Sequence, residues 1–131
     1  FFDNDDDDGD VIGEGDCDLC ERTMQLTRHH LIPRSTWPRL YARLQNAPTA
    51  EILGGAILPL ESKSSIKAFL QQTCKVCRPC HSAIHRAHDN MTLALHYNTV
   101  DRLLEDESIY KFCKWANKQR PGKYGNKMKK R

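Results

Sequence analysis

The pattern of apolar residues predicts an extended segment followed by a helix near the start of the chain. Residues from Cys17 to about Ile32 predict a short turn and then an extended run, which Pro33 ends. The apolar residues that follow recur at helical spacing, with Ser35 or Thr36 as the candidate N-cap. They are Trp37, Leu40, Tyr41 and Leu44.

The chain beyond residue 45 predicts a loop and then helices. Residues 46–61 contain two prolines and two adjacent glycines, which is typical of a loop. One helix is predicted around Ile66 and Phe69. Another is predicted from about Pro79 through His85, because proline is well tolerated in the first helical turn.

Candidate N-caps divide the last third of the chain into three helices. Asn90 and Asn98 are expected to cap two short helices, and Ser108 is expected to cap the last one. In that last helix the apolar residues follow the i, i+3, i+4, i+7 pattern of a buried face, which predicts that its cysteine is a core residue. These residues are Ile109, Phe112, Cys113 and Ala116.

Charge is distributed very unevenly along the chain. Residues 1–20 hold nine Asp or Glu and no Lys or Arg, whereas residues 21–131 carry a net charge of +12. From Lys111 to Arg131 there are nine basic residues and no acidic one. A domain this basic usually has a polyanion such as nucleic acid as its partner, although solubility alone would also explain the charge.

Length and charge together divide the chain into three parts. At 131 residues it is about one domain long. We predict an acidic disordered tail over residues 1–16, a folded domain over 17–120 and a basic tail over 121–131. The chain has no run of about 18 apolar residues, and its acidic start does not resemble a signal peptide. We therefore expect no membrane span and no secretion.

Paired cysteines give the strongest chemical signal. Two Cys-x-x-Cys pairs have the spacing with which two knuckles place four thiolates around one zinc ion. They are Cys17 with Cys20 and Cys77 with Cys80. Cys74 also lies three residues before Cys77, but a histidine directly follows Cys80, as in many zinc knuckles, so Cys74 is expected to be a spare thiol near the site. Metal-bound thiolates rather than disulfides predict an intracellular, reducing compartment, the cytoplasm or the nucleus.

Histidines form two further motifs, each of which would be weak evidence on its own. His81 and His85 follow the second cysteine pair, and on a helix both imidazoles would reach one metal ion. His29 and His30 are neighbours in an extended segment, where adjacent side chains point to opposite sides. One of them could then bind the ion while the other takes a different task. His88 is expected to be an ordinary exposed or DNA-facing side chain rather than a substitute ligand.

The combination of these motifs resembles one known family. The order Cys-x-x-Cys, His-His-Leu-Ile-Pro and Cys-x-x-Cys-His-x-x-x-His is similar to the HNH (ββα-metal) endonucleases, and most of all to small HNH proteins with an "HHLIP … CRPCH … IH" signature. The resemblance covers about Cys17–Arg34 and Cys77–Gly122. It implies an α+β fold, in which a ββα-metal finger with a four-cysteine structural zinc is followed by additional C-terminal helices.

The resemblance also implies a role for each motif. The ligands of one divalent catalytic ion, for which Mg²⁺, Mn²⁺, Ni²⁺ and Zn²⁺ are the candidates, would be His29, His81 and His85. His30 corresponds to the general base that activates water. The four paired cysteines match the structural zinc ligands. Phosphate oxygens would be held by forked hydrogen bonds from two arginines that flank the histidines, Arg28 and Arg86.

One position departs from the family pattern. The family has an Asn or His about nine residues before the first helix histidine, where it orients the general base, and here that position is Gln72. Either another group takes the orienting role or activity is weakened. We expect a metal-dependent endonuclease that hydrolyses phosphodiester bonds in nucleic acid, DNA before RNA. The alternative is a catalytically inactive, zinc-stabilised module that binds nucleic acid.

Overall fold

A small antiparallel sheet with helices packed around it forms the fold, and the predicted α+β class is confirmed. The computed structural model describes residues 10–45 and 62–120. In these ranges the strands are β1 (Val11–Asp16), β2 (Thr23–His30) and β3 (Thr73–Cys77). The helices are α1 (Trp37–Leu44), α2 (Lys63–Leu70), α3 (Arg78–Ala87), α4 (Asn90–His96), α5 (Val100–Glu105) and α6 (Glu107–Asn117). A short 3-10 turn, Arg34–Thr36, precedes α1.

Strand β2 lies between β1 and β3, and both pairings are antiparallel. In the β2–β3 register Thr27 lies opposite Val76, and His29 lies opposite Cys74. Directly paired residues of a sheet share a face, so these four side chains lie on the same side. Helix α3 follows β3 without a loop and contacts both β2 and β3. The sheet therefore brings β2 beside the helix that carries the predicted histidine ligands.

Strand β1 corrects one prediction. Residues 11–16 were expected to belong to the acidic disordered tail over 1–16, but they pair with β2, so that prediction was wrong for this segment. The register shifts between Val11 and Gly13, and Gly13 adopts a φ of 113°, which favours glycine. The acidic residues of this edge strand face solvent, which is why its composition resembles a tail. Residues 1–9 lie outside the described residues.

The predicted turn and extended segment before Pro33 are confirmed by the turn at residues 18–20 and by β2. The helices predicted near Trp37, Ile66 and Pro79 are confirmed as α1, α2 and α3. Strand β3 was missed, because its five residues give too short an alternating pattern. The predicted loop over 46–61 and basic tail over 121–131 lie outside the described residues. Within the described ranges, none of the helices is long and apolar enough to cross a membrane.

The predicted helix caps need correction. Thr36 directly precedes α1, but its hydroxyl donates to the Pro33 carbonyl instead of accepting from the N-terminal N–H groups of the helix. The predicted caps Asn90, Asn98 and Ser108 were wrong. In each case a carboxylate or hydroxyl one or two residues away accepts the capping hydrogen bond instead. The observed caps are Asp89, Thr99 and Asp106.

Two groups of buried side chains form the core of the described residues. The first joins the sheet to α3, α5 and α6 and includes the four paired cysteines. The second lies between α1, α2 and α4. Its members are Ile32, Trp37, Leu40, Leu44, Ile66, Leu70 and Ala94. The thiols of the predicted zinc site are thus part of the larger core rather than an attachment on the surface.

Candidate metal centres

The four paired cysteines converge as the sequence predicts. All four are buried, and their sulfurs lie within 4.8 Å of one another. Sγ of Cys20 lies 3.8 Å from Sγ of Cys77. About 3.8 Å is also the distance between two sulfurs of a tetrahedral site with zinc–sulfur bonds of about 2.3 Å. The cluster could therefore hold a metal ion such as zinc.

Backbone hydrogen bonds shape the first knuckle around Cys17. Its Sγ accepts from the backbone N–H of Leu19 at 3.4 Å, of Cys20 at 3.4 Å and of Cys77 at 3.3 Å. Three donors that converge on one sulfur favour the thiolate form, which is the form that binds metal. The turn closes through Glu21, whose φ of 71° is unusual for a residue other than glycine.

Polar contacts tie this knuckle to distant parts of the chain. The backbone N–H of Asp18 donates to the Lys75 carbonyl, and one carboxylate oxygen of Asp18 accepts from the Lys75 N–H, both at 2.8 Å. At the end of α6, the Asn117 amide donates to the Cys20 carbonyl at 2.8 Å. The knuckle is therefore placed against β3 and α6 by the protein itself as well as by the sulfurs.

Arg22 is a buried charge at this site that the sequence reasoning missed. Its side chain is 8% exposed. Nε donates to Sγ of Cys20 at 3.2 Å, and a terminal nitrogen donates to Sγ of Cys77 at 3.5 Å. Hydrogen bonds from Cys17 and Cys77, and also from Arg22, hold the pKa of Cys20 below its usual range. Because four thiolates around a divalent ion carry a net negative charge, the guanidinium compensates part of it.

The remaining two cysteines are buried but lie outside the set of four. Cys74 lies on β3 opposite His29 and is not one of the four clustered thiols, as predicted for a spare thiol. Cys113 of α6 belongs to the core, as predicted, but its Sγ also lies 3.9 Å from Sγ of Cys80. The hydrogen bond with Cys113 is the largest cause that raises the pKa of Cys80 above its usual range. The site thus has a fifth sulfur as a close neighbour.

Three of the predicted histidines form a second cluster. His29 of β2 meets His81 and His85, which lie one turn apart on α3, and one ring nitrogen of each is within 4.8 Å of the others. The ring centroids are 5.1, 5.3 and 5.2 Å apart. His29 and His81 are 0% exposed, whereas His85 is exposed. Three imidazoles of this arrangement fit a divalent ion, and the site opens to solvent on the side of His85.

Thr27, whose role sequence reasoning also missed, lies beside this cluster. It is two residues before His29 on β2, so both side chains lie on the face that α3 covers. Its Oγ1 is 2.8 Å from Nδ1 of His81. A hydroxyl-bearing residue two positions before a strand ligand is the sequence signal that could have identified it.

His30 lies apart from the three clustered histidines. Its ring is buried and packs edge-on against Trp37, with 5.6 Å between the centroids. The doublet therefore points its two rings in different directions, as strand alternation predicts. Gln72 is exposed, and its backbone carbonyl accepts from the Leu31 N–H just after β2.

The two arginines predicted to hold phosphate differ in their surroundings. Arg28 is half-buried on β2, next to both doublet histidines. Arg86 is exposed on α3, directly after His85, and its guanidinium carbon lies 5.7 Å from the centroid of the Phe112 ring. One guanidinium therefore lies on each element that supplies a clustered histidine.

His88 belongs to a contact between α3 and the C-terminal helices. Its Nε2 lies 2.7 Å from a carboxylate oxygen of Asp106, and its ring stacks on Tyr97 with 4.4 Å between the centroids. The prediction of an exposed side chain was wrong, since the residue is half-buried. The same Asp106 caps α6, so this contact joins the end of α3 to the start of α6.

Comparison with known proteins gives one informative match. The chain is 33% identical over 110 residues to the uncharacterized protein YisB of Bacillus subtilis (strain 168). The alignment covers 83% of this chain and 80% of that protein. No protein-family model matches the chain, and no solved structure matches it. Because the similarity extends over most of both sequences, the chain belongs to the family of YisB.

Proposed function

We propose that this protein is a metal-dependent HNH (ββα-metal) endonuclease that hydrolyses phosphodiester bonds in nucleic acid, with DNA as the expected substrate. The observation that carries the proposal is the cluster of His29, His81 and His85, whose ring nitrogens lie within 4.8 Å of one another at an opening to solvent. The order of strands and helices around this cluster also supports the proposal. Strands β2 and β3 followed by α3 have the strand–strand–helix order that the HNH resemblance implies.

The two clusters suit two different metal roles. Four cysteines complete a tetrahedral site and leave no position for water, so the zinc that we assign to them is structural. Three histidines leave positions open for water and substrate, as catalytic metal sites require. Arg86 directly follows the exposed ligand His85 and is itself exposed, so its guanidinium is available to a phosphate beside that opening.

The proposed reaction is hydrolysis by an activated water molecule. The neutral imidazole of His30 accepts a proton from water, and the oxygen of that water attacks phosphorus in line with the 3′ oxygen. The bond from phosphorus to the 3′ oxygen breaks, and the departing oxygen takes a proton from solvent, which gives a 5′-phosphate and a 3′-hydroxyl. A divalent ion at the three histidines would supply stabilisation of the negative charge that develops on the phosphate oxygens.

A catalytically inactive module that binds nucleic acid is the second candidate, and one observation favours it. His30 is only 5% exposed, because its ring packs against Trp37. A general base has to reach its water molecule, so in this alternative the same ring is a core side chain. Gln72 also favours this alternative, because it is exposed and replaces the Asn or His with which the family orients its general base.

A cleavage assay separates the two candidates. The purified chain would be incubated with supercoiled plasmid and with single-stranded DNA, in Mg²⁺, Mn²⁺, Ni²⁺ or Zn²⁺ in turn. We expect metal-dependent nicking that is lost in His85→Ala at the same ion concentration. The exposed position of His85 makes this the ligand substitution that disturbs the core least, and a contaminating nuclease would cut equally in both samples. If the protein binds DNA but does not cleave it in any of the ions, the binding module is established. If it shows no binding and no cleavage, both candidates are overturned.

The assignment of the four zinc ligands predicts a clear result for the two other cysteines. Replacing Cys74 or Cys113 by alanine is expected to leave four thiolates on the metal, because neither belongs to the cluster of four. Cobalt substitution measures this, since the near-ultraviolet absorption of a cobalt–thiolate site grows with the number of its thiolates. A loss of about a quarter of that absorption in Cys113→Ala would show instead that Cys113, 3.9 Å from Cys80, is a ligand.

A further inference from the structure

The hydroxyl of Thr27 lies between two polar atoms in the interior, a backbone carbonyl oxygen and a histidine ring nitrogen. Its Oγ1 donates to the Val76 carbonyl at 2.9 Å and lies 2.8 Å from Nδ1 of His81. Thr27 is 3% exposed, and Val76 and His81 are 0% exposed. In such a place each hydrogen-bonding group needs a partner within the protein, so the direction of both hydrogen bonds has consequences.

The number of hydrogens decides these directions. A hydroxyl carries one hydrogen, and a carbonyl oxygen can only accept. Because the Thr27 hydroxyl donates its hydrogen to Val76, its oxygen can only accept from His81. Nδ1 of His81 must then carry a hydrogen, and in a neutral imidazole this leaves the lone pair on Nε2.

We infer that Thr27 is a positioning residue that holds His81 in the tautomer with hydrogen on Nδ1 and presents Nε2 to the catalytic ion. This inference rests on the proposed function, because it concerns the ion that the three histidines would bind. Metal-binding histidines commonly donate their second ring N–H to an oxygen acceptor, which fixes the tautomer and the ring orientation. Here the acceptor is a hydroxyl whose own hydrogen is already used.

The sheet explains why a threonine can hold this position. Thr27 pairs directly with Val76, so the carbonyl that takes its hydrogen belongs to the neighbouring strand. A β-branched side chain on a strand has few accessible rotamers, which keeps the hydroxyl in place. His29 follows on the same face of β2. A three-residue stretch of β2 thus supplies one proposed ligand and orients a second one.

The test reads the tautomer directly by NMR. With zinc in the cysteine site and no other divalent ion added, long-range ¹H–¹⁵N spectra of ¹⁵N-histidine protein distinguish the protonated from the unprotonated ring nitrogen. We expect hydrogen on Nδ1 of His81 in the wild type and in Thr27→Ser. In Thr27→Val, which has nearly the same shape, we expect hydrogen to appear on Nε2. An Nε2-protonated His81 in the wild type would overturn the inference.

Ion affinity gives the second readout. Titration with Ni²⁺ followed by calorimetry is expected to show affinity weakened about 10- to 100-fold in Thr27→Val and restored in Thr27→Ser. Unchanged cobalt–thiolate absorption and circular dichroism would exclude a general loss of fold in the valine variant. Wild-type affinity in a folded Thr27→Val would overturn the inference. Because neither readout involves cleavage, a protein that shows both effects but cuts no DNA would overturn the proposed function alone.

Discussion

Replacing Cys20 by alanine is expected to abolish zinc binding at the four-cysteine site and to unfold the sheet together with α3 and α6. A structural zinc site contributes about 10–16 kcal/mol of apparent binding free energy, whereas a whole domain is stable by only about 5–15 kcal/mol. The sulfur of Cys20 lies in the larger core, where Arg22 also donates to it, so its loss leaves a buried guanidinium without one of its acceptors. Circular dichroism and thermal denaturation measure the effect.

Cys20 is the informative ligand to replace, because no spare sulfur is described close to it. Cys80, by contrast, has Cys113 at 3.9 Å, which could take its place. Cys74→Ala is the matched control, since it also removes a buried thiol of the sheet without removing one of the four clustered sulfurs. A Cys20→Ala protein that melts cooperatively within a few degrees of this control, with zinc removed, would contradict a structural role for the metal.

Replacing His30 by glutamine is expected to lower the rate of DNA cleavage by about 10²- to 10⁴-fold, the usual contribution of a general base. Glutamine keeps most of the volume that packs against Trp37, so the fold should survive, whereas alanine would leave a cavity there. Affinity for the catalytic ion should stay at the wild-type value, because His30 is not among the three clustered histidines. Plasmid nicking under single-turnover conditions measures the rate, and calorimetry with Ni²⁺ measures the affinity.

The exposed His96 of α4 provides the control for this experiment. His96→Gln makes the same chemical change at a site that belongs to neither metal cluster, and it should cut like the wild type. If His30→Gln cleaved DNA at the rate of His96→Gln, His30 would be a core residue and another group would have to activate water. If it also lost ion affinity, the separation of His30 from the metal cluster would be wrong.

Sequence patterns identified the candidate site well because its chemistry depends on local spacing. Two Cys-x-x-Cys pairs and one His-x-x-x-His pair each place two ligands by the geometry of a single turn, and the structure brings each pair together. The helical periodicity of Ile109 and Cys113 likewise predicts the buried face of α6. These local patterns do not say how separate segments meet, and the approach of His29 to α3 was predicted only from the family resemblance.

The misses have physical reasons as well. The acidic composition of Val11–Asp16 hides an edge strand, because the solvent-facing side of such a strand needs no apolar residues. Arg22 and Thr27 contact Cys77 and His81, which lie 55 and 54 positions away in the sequence, so local spacing does not reveal these partners. Ser108 was predicted as the cap of α6, but the observed cap is Asp106, whose carboxylate also interacts favourably with the positive end of the helix dipole.

Helix α3 carries candidate ligands of both clusters, and Cys80 is followed immediately by His81. The four-cysteine site therefore positions the N-terminus of the helix that contains two of the three histidines. Metal loading should then be ordered, with zinc entering the cysteines before the histidines can bind an ion. A strong chelator that removes zinc from the cysteines would also separate the three histidines. Removal of the ion from the histidines alone should be readily reversible, since His85 is open to solvent. The order in which metals are added would then decide which of the two sites can bind an ion.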